Sequence, residues 1–177
     1  MSNPDLWQLC KKGDRAAFKQ IYLDHIDNLM AYGYKICQDQ ELLQDAVHDL
    51  FVYIWEKRTT LSDTDSIIKY LCVSLRRRLI KNIEDGKKTT FDVELENHSL
   101  NMTSSRENEW IQEEDDHKTQ KNIQAAIAKL PKRQQEAIHL KYYQNLSYEE
   151  ICDIMEINYQ SVRNLISRAV IDMRHLL

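Results

Sequence analysis

Gln160, Arg163, Asn164, Ser167 and Arg168 recur one, three and four residues apart near the end of the sequence. On a helix that spacing brings amide, guanidinium and hydroxyl groups to one side. These groups can bond base edges and phosphates in a DNA major groove. A second set, Tyr70, Ser74, Arg76, Arg77 and Lys81, combines an aromatic ring with cations. That mixture suits single-stranded DNA, where phosphate attraction adds to base stacking. Arg78 makes three adjacent arginines, which point in different directions on a helix, so one or two of them can face DNA. A third set is Asp45, His48, Asp49 and Val52. Asp45 and Asp49 stand four residues apart, on one helical face, where like charges weaken an isolated helix. A basic partner would explain them; without one they are a solvated acidic face. Enzyme chemistry is not expected. The histidines are scattered, and neither a Gly-rich phosphate loop nor a nucleophile motif is present. Cys10, Cys37, Cys72 and Cys152 lie far apart, with no C-x-x-C spacing. They read as reduced core thiols, so neither a metal nor another cofactor is expected.

These residues need helices to position them. Ser147 precedes Glu150 by three residues, the spacing of a capping box. Ile151, Ile154 and Met155 give the helix it starts one apolar face. A break is expected at 156–158, after which Asn158 can cap a second helix. In that helix Val162, Leu165, Ile166, Ala169, Met173 and Leu176 are expected to face the core. The pair reads as a helix-turn-helix, although an ordinary helical hairpin with a solvated polar face has the same pattern. Upstream, Ile123, Ala126, Ile127 and Leu130 mark a helix ended by Pro131. Another runs to about Tyr143, where Asn145 can take the left-handed conformation that stops it. The first half shows a short helix over about 5–12 and three long apolar stripes. These are Phe18 to Ile36 with Gly33, Leu43 to Trp55, and Ile68 to Leu79 with Leu71, Cys72 and Leu75.

With only 3 Gly and 2 Pro in 177 residues, turn-rich β architectures are excluded. The expected fold is all-α: two small helical domains joined by a flexible acidic linker, the C-terminal one a helix-turn-helix. The net charge of -4 is concentrated centrally, since residues 84–117 hold 11 Asp and Glu against 3 Lys and Arg. That segment is poor in apolar periodicity, the composition of a flexible tether, and it is too long for an ordinary loop. Boundaries are placed at 1–84, 85–117 and 118–177, with Trp110 and Ile111 as the apolar exception inside the tether. No stretch approaches the roughly 20 apolar residues of a membrane span. The opening residues have no signal-peptide pattern, which gives a cytoplasmic expectation.

Four stretches in order resemble the bacterial RNA polymerase sigma factors of the extracytoplasmic-function group, within the sigma-70 family. They are Gly13-Asp14 through Phe18 to Tyr22, Gln44-Asp45 through Trp55, Tyr70-Leu71 through Arg78, and Leu130-Pro131 through Arg163. The resemblance implies that residues 1–84 are region two and residues 118–177 region four. It implies that Asp45, His48, Asp49 and Val52 dock a coiled coil of core RNA polymerase. The helix from Tyr70 would face the minus-ten element, the loop at about 57–66 would capture an unstacked base, and the recognition helix would read the minus-thirty-five element. Core polymerase, promoter DNA and an anti-sigma factor are the implied partners. The chain departs from the family pattern at Glu156, where the family often has Gly, at Leu165 and Val170, where basic residues are frequent, and at Gln135, where Arg is common. The competing reading is a helix-turn-helix transcriptional regulator with an N-terminal sensing or dimerisation domain. Such a protein needs neither the Asp45–Trp55 segment nor the arginine-rich helix.

Overall fold

A computed structural model describes residues 3–89 and 114–177. Most of the proposed tether, with Trp110 and Ile111, lies outside the described residues. Among the described residues the secondary structure is helical throughout. The first unit contains α1 (Asn3–Lys11), α2 (Arg15–Ile36), α3 (Gln40–Lys57) and α4 (Ile67–Thr89). Asp14 caps α2 by accepting from the Ala16 and Ala17 amides, and Asp39 caps α3 by accepting from the Leu42 amide. Each carboxylate answers backbone donors left open at a helix start. Gly13, at φ 91°, makes the turn between α1 and α2.

The three apolar stripes meet as the spacing predicts. Ile21, Leu29, Leu43, Leu50, Ile54, Leu71, Leu75 and Leu79 are all buried, with Trp7 of α1 covering one end. Each such side chain contributes about 1.5–3 kcal/mol on burial. Gly33 is chosen for space: a β-carbon there would collide with the Leu43 side chain and crowd Leu75. The close approach of α2 to α3 and α4 thus offsets the roughly 1 kcal/mol that glycine costs a helix interior.

The second unit contains α5 (Glu114–Lys129), α6 (Lys132–Ile138), α7 (Tyr148–Met155) and α8 (Tyr159–Leu176). Residues His139–Tyr143 continue α6 as one wider π turn. Asn145 ends this segment at φ 56°, the left-handed conformation expected of it. The capping box of Ser147 and Glu150 is formed in both directions, and Asn158 caps α8 by accepting from the Ser161 amide. Ile151, Ile154, Met155, Val162, Ile166 and Ala169 are buried together. Leu176, expected in the core, is exposed, because α8 runs on past the helices that cover its middle turns. Gln135 is also buried, its amide donating to the Ala128 and Leu130 carbonyls and so closing the end of α5.

The two units touch, α2 against α6 and α4 against α7. Composition and periodicity gave no sign of that contact.

Candidate nucleic-acid interface

On α8 the polar face is free. Gln160, Arg163, Asn164, Ser167 and Arg168 are exposed, while Val162, Ile166 and Ala169 hold the opposite face in the core. The Gln160 amide donates to Asn164 Oδ1 at 2.9 Å, which orders two amide groups one turn apart. The turn before α8 places Glu156 at φ 55° and ψ 45°. Left-handed backbone costs a non-glycine residue roughly 1–2 kcal/mol, so the departure from glycine noted in the sequence is a strained one.

On α3, Asp45, His48, Asp49 and Val52 are exposed, and their spacing puts them in one strip. Val52 is 40% exposed, an apolar group among charges. Arg78 Nη1 lies 3.9 Å from Asp49 Oδ2 of this strip.

On α4 the predicted DNA set divides. Lys81 and Arg77 are exposed. Tyr70 is half-buried against Trp7, with ring centroids 4.9 Å apart, and it hydrogen-bonds Ser74. Arg76 is buried at 9% exposure, and its Nε donates to Glu136 Oε1 of α6 at 2.8 Å. In this arrangement Arg76 is closed to DNA. Its partner carboxylate also accepts from the Tyr32 hydroxyl at 2.9 Å. Burial, then the Glu136 charge, holds the Tyr32 hydroxyl well above its ordinary pKa. Tyr32, Glu136 and Arg76 therefore form one satisfied polar cluster between the units. Two further pairs flank it: Lys69 Nζ to Asp153 Oδ2 at 2.6 Å, and Arg77 Nε to Glu156 Oε1 at 2.9 Å.

His139 lies beside this cluster, stacked between Tyr32 and Tyr143. Burial, and then the Lys35 charge, lowers its pKa from 6.5 to about 4. The neutral ring accepts from the Gln144 amide at its Nε2, 3.2 Å away. Protonation would set donor against donor. Between pH 6.5 and about 4 the unfolded chain binds a proton that the folded one refuses. Stability from this group is thus whole above 6.5 and lost as pH falls through about 4. The full loss is on the order of 3 kcal/mol. Urea unfolding of the wild type at pH 7 and pH 4.5 should show it, and His139→Gln should flatten that difference. His25, whose pKa burial also lowers, is common to both proteins and cancels. Parallel pH dependences in the two proteins would show that residue 139 is not held neutral.

Glu136, Tyr32 and His139 were not foreseen as site residues. A signal was present for the first. Arg76 continues the apolar stripe of Cys72, Leu75 and Leu79, and Glu136 shares a face with Leu140. Opposite charges each lying on an apolar stripe are candidates for a buried pair.

Residues 120–173 match the family described as Sigma-70, region 4. No curated protein matches the chain. Among solved structures, the sigma factor RpoE in complex with the anti-sigma factor NepR from Bartonella quintana is similar. The TM-score is 0.68 at 19% identity, over 90% of this chain and 95% of that one. CnrH in complex with the cytosolic domain of CnrY gives a TM-score of 0.64 at 16% identity, over 98% of this chain and 96% of that one. None of the described helices is long and apolar enough to cross a membrane. The C-terminal unit is thus similar to sigma-70 region 4 in sequence, and 90% of the chain shares its fold with the Bartonella quintana sigma factor.

Proposed function

We propose that this chain is an alternative sigma factor, which binds core RNA polymerase and directs promoter recognition and melting. The observation that carries the reading is the region-four match on a helix-turn-helix whose α8 polar face is exposed. Region two is assigned to about 1–84, the linker to about 85–117 and region four to about 118–177. The α3 strip of Asp45, His48, Asp49 and Val52 is assigned to core polymerase. Tyr70, Ser74, Arg77 and Lys81 of α4 are assigned to the minus-ten element, with Arg76 turned inward to Glu136 and the loop before α4 receiving the unstacked base. Holding a flipped base must offset an unstacking cost of a few kcal/mol, which an isolated small unit gains by being tethered on polymerase. The protein needs no catalytic group, because nucleotide addition belongs to the polymerase. The Bartonella quintana relative is held by an anti-sigma factor, and a partner of that kind is assigned here as well.

Core polymerase reconstituted with this chain should initiate at promoters that core alone ignores. Absence of any such initiation, and of core capture, would overturn the reading. Gln160, Arg163, Asn164, Ser167 and Arg168 are assigned to the minus-thirty-five element. Arg163, near the start of α8, is expected to read a base, and Arg168 a phosphate. Arg163→Ala should then reduce discrimination at one base position by about 1–3 kcal/mol, whereas Arg168→Ala should weaken all promoter variants alike. Holoenzyme binding to a set of single-base variants separates the two. An equal loss for every variant on Arg163→Ala would make Arg163 a phosphate contact.

A further inference from the structure

Lys11 of α1 lies one helical turn from both Trp7 and Gln8. All three reach across to the loop between α3 and α4. The Trp7 indole N–H donates to the Ser62 carbonyl at 3.0 Å. The Gln8 amide donates to Asp63 Oδ1 at 2.7 Å, and the Lys11 ammonium bonds the same oxygen. The bond from Lys11, and then that from Gln8, holds the Asp63 carboxyl below its ordinary pKa, so it remains an acceptor. Trp7 is fully buried and its ring packs on Tyr70, so one side chain ties the loop to the helix assigned to the minus-ten element. Nearer α4, the Thr64 hydroxyl donates to the Ser66 carbonyl at 2.9 Å. Packing alone does not call for the bonds to α1. Leu61 and Ile67 already bury the loop's flanks in the core, while Ser62 and Asp63 are exposed. What α1 fixes is an outward stretch of backbone. Thr59, Thr60 and Asp65 are exposed on the same loop, with hydroxyl and carboxylate groups that can bond the edge of a base. A loop fixed before its ligand arrives avoids an ordering cost at capture. We propose that α1 braces the base-receiving loop: Trp7, Gln8 and Lys11 hold Ser62 and Asp63 in the conformation that takes up the unstacked base, and are positioning residues for promoter melting. This rests on the reading of that loop as the receiver of the base.

The test is binding of holoenzyme to a fluorescent single strand that carries the minus-ten element of a promoter it uses. The same strand is then measured with an abasic site stepped through each position. Base capture makes one position stand out: the wild type should lose about ten-fold in affinity there, the worth of one stacked base. Gln8→Leu/Lys11→Met should bind that abasic strand as the wild type does and the intact strand more weakly, so that the ratio falls to about two-fold. Trp7→Phe keeps a ring against Tyr70 and removes the donor to Ser62, and it should lower the ratio as well. Lys12→Met removes the same charge from an exposed neighbouring position and should leave the ratio at its wild-type value. A wild-type ratio in Gln8→Leu/Lys11→Met would overturn the proposal. So would an equal loss for intact and abasic strands, which would make α1 a structural support or a phosphate contact. A wild type with no position that stands out would overturn the base-receiving reading of the loop, and the brace with it. Failure of the wild type to capture core polymerase would overturn the sigma-factor reading itself, which the earlier outcomes leave standing.

Discussion

Replacing Asp45 and Asp49 by lysine is expected to abolish capture of core RNA polymerase and leave the helical content and melting temperature near those of the wild type. Both carboxylates are exposed on α3, so their replacement exposes no cavity and buries no charge. Arg78 is 3.9 Å from Asp49, and an exposed pair of that kind is worth no more than about 1 kcal/mol. The helix itself is indifferent, because two lysines four apart repel much as two aspartates do. A basic docking surface is not indifferent. Like charges forced together at an interface cost several kcal/mol, and each 1.4 kcal/mol is about ten-fold in affinity. Two reversals should therefore weaken binding by roughly a thousand-fold. Pull-down of core polymerase, with circular dichroism to confirm the fold, checks this. Undiminished capture would remove α3 as the docking face.

The parts of the fold that were legible in the sequence are those built from local chemistry. The capping box at Ser147, the Asn158 cap and the left-handed Asn145 follow from side-chain groups within a few residues of the backbone they serve. The stripes on α2, α3 and α4 follow from period alone, and so does the polar face of α8. The contact between the units was not legible, because it joins residues as far apart as Tyr32 and Glu136 and leaves no local period. Three adjacent arginines are expected to point in different directions, and Arg76 is the one on the apolar side of its helix that goes inward. Glu136, which shares a face with Leu140, is 5% exposed. The π turn at 139–143 has no sequence signature; it is visible only as the shift that stacks His139 between Tyr32 and Tyr143.

Glu136→Ala should have the largest effect of any single substitution on how the two units associate. One oxygen of Glu136 accepts from both Arg76 and Tyr32. Its loss leaves a guanidinium and a hydroxyl without acceptors in a closed interface. Removing one member of a buried ion pair costs about 3–5 kcal/mol. The chain has an escape from that cost, since parting of the units returns Arg76 and Tyr32 to water. The penalty is then limited to the free energy of docking, and it appears as uncoupling of the units rather than as unfolding of either. Glu136→Ala is expected to raise the radius of gyration in X-ray scattering and to split thermal unfolding into two transitions. The converse follows from the same energetics. A buried ion pair offsets its own desolvation poorly, so well-packed apolar replacements of all its members are commonly neutral or stabilising by about 1–4 kcal/mol. Tyr32→Phe/Arg76→Met/Glu136→Leu should therefore restore a compact chain with a single transition. A compact Glu136→Ala protein that melts as the wild type does would show that the cluster does not hold the units together. Failure of the triple variant to close, with Glu136→Ala open, would show that charge rather than packing sets the docking.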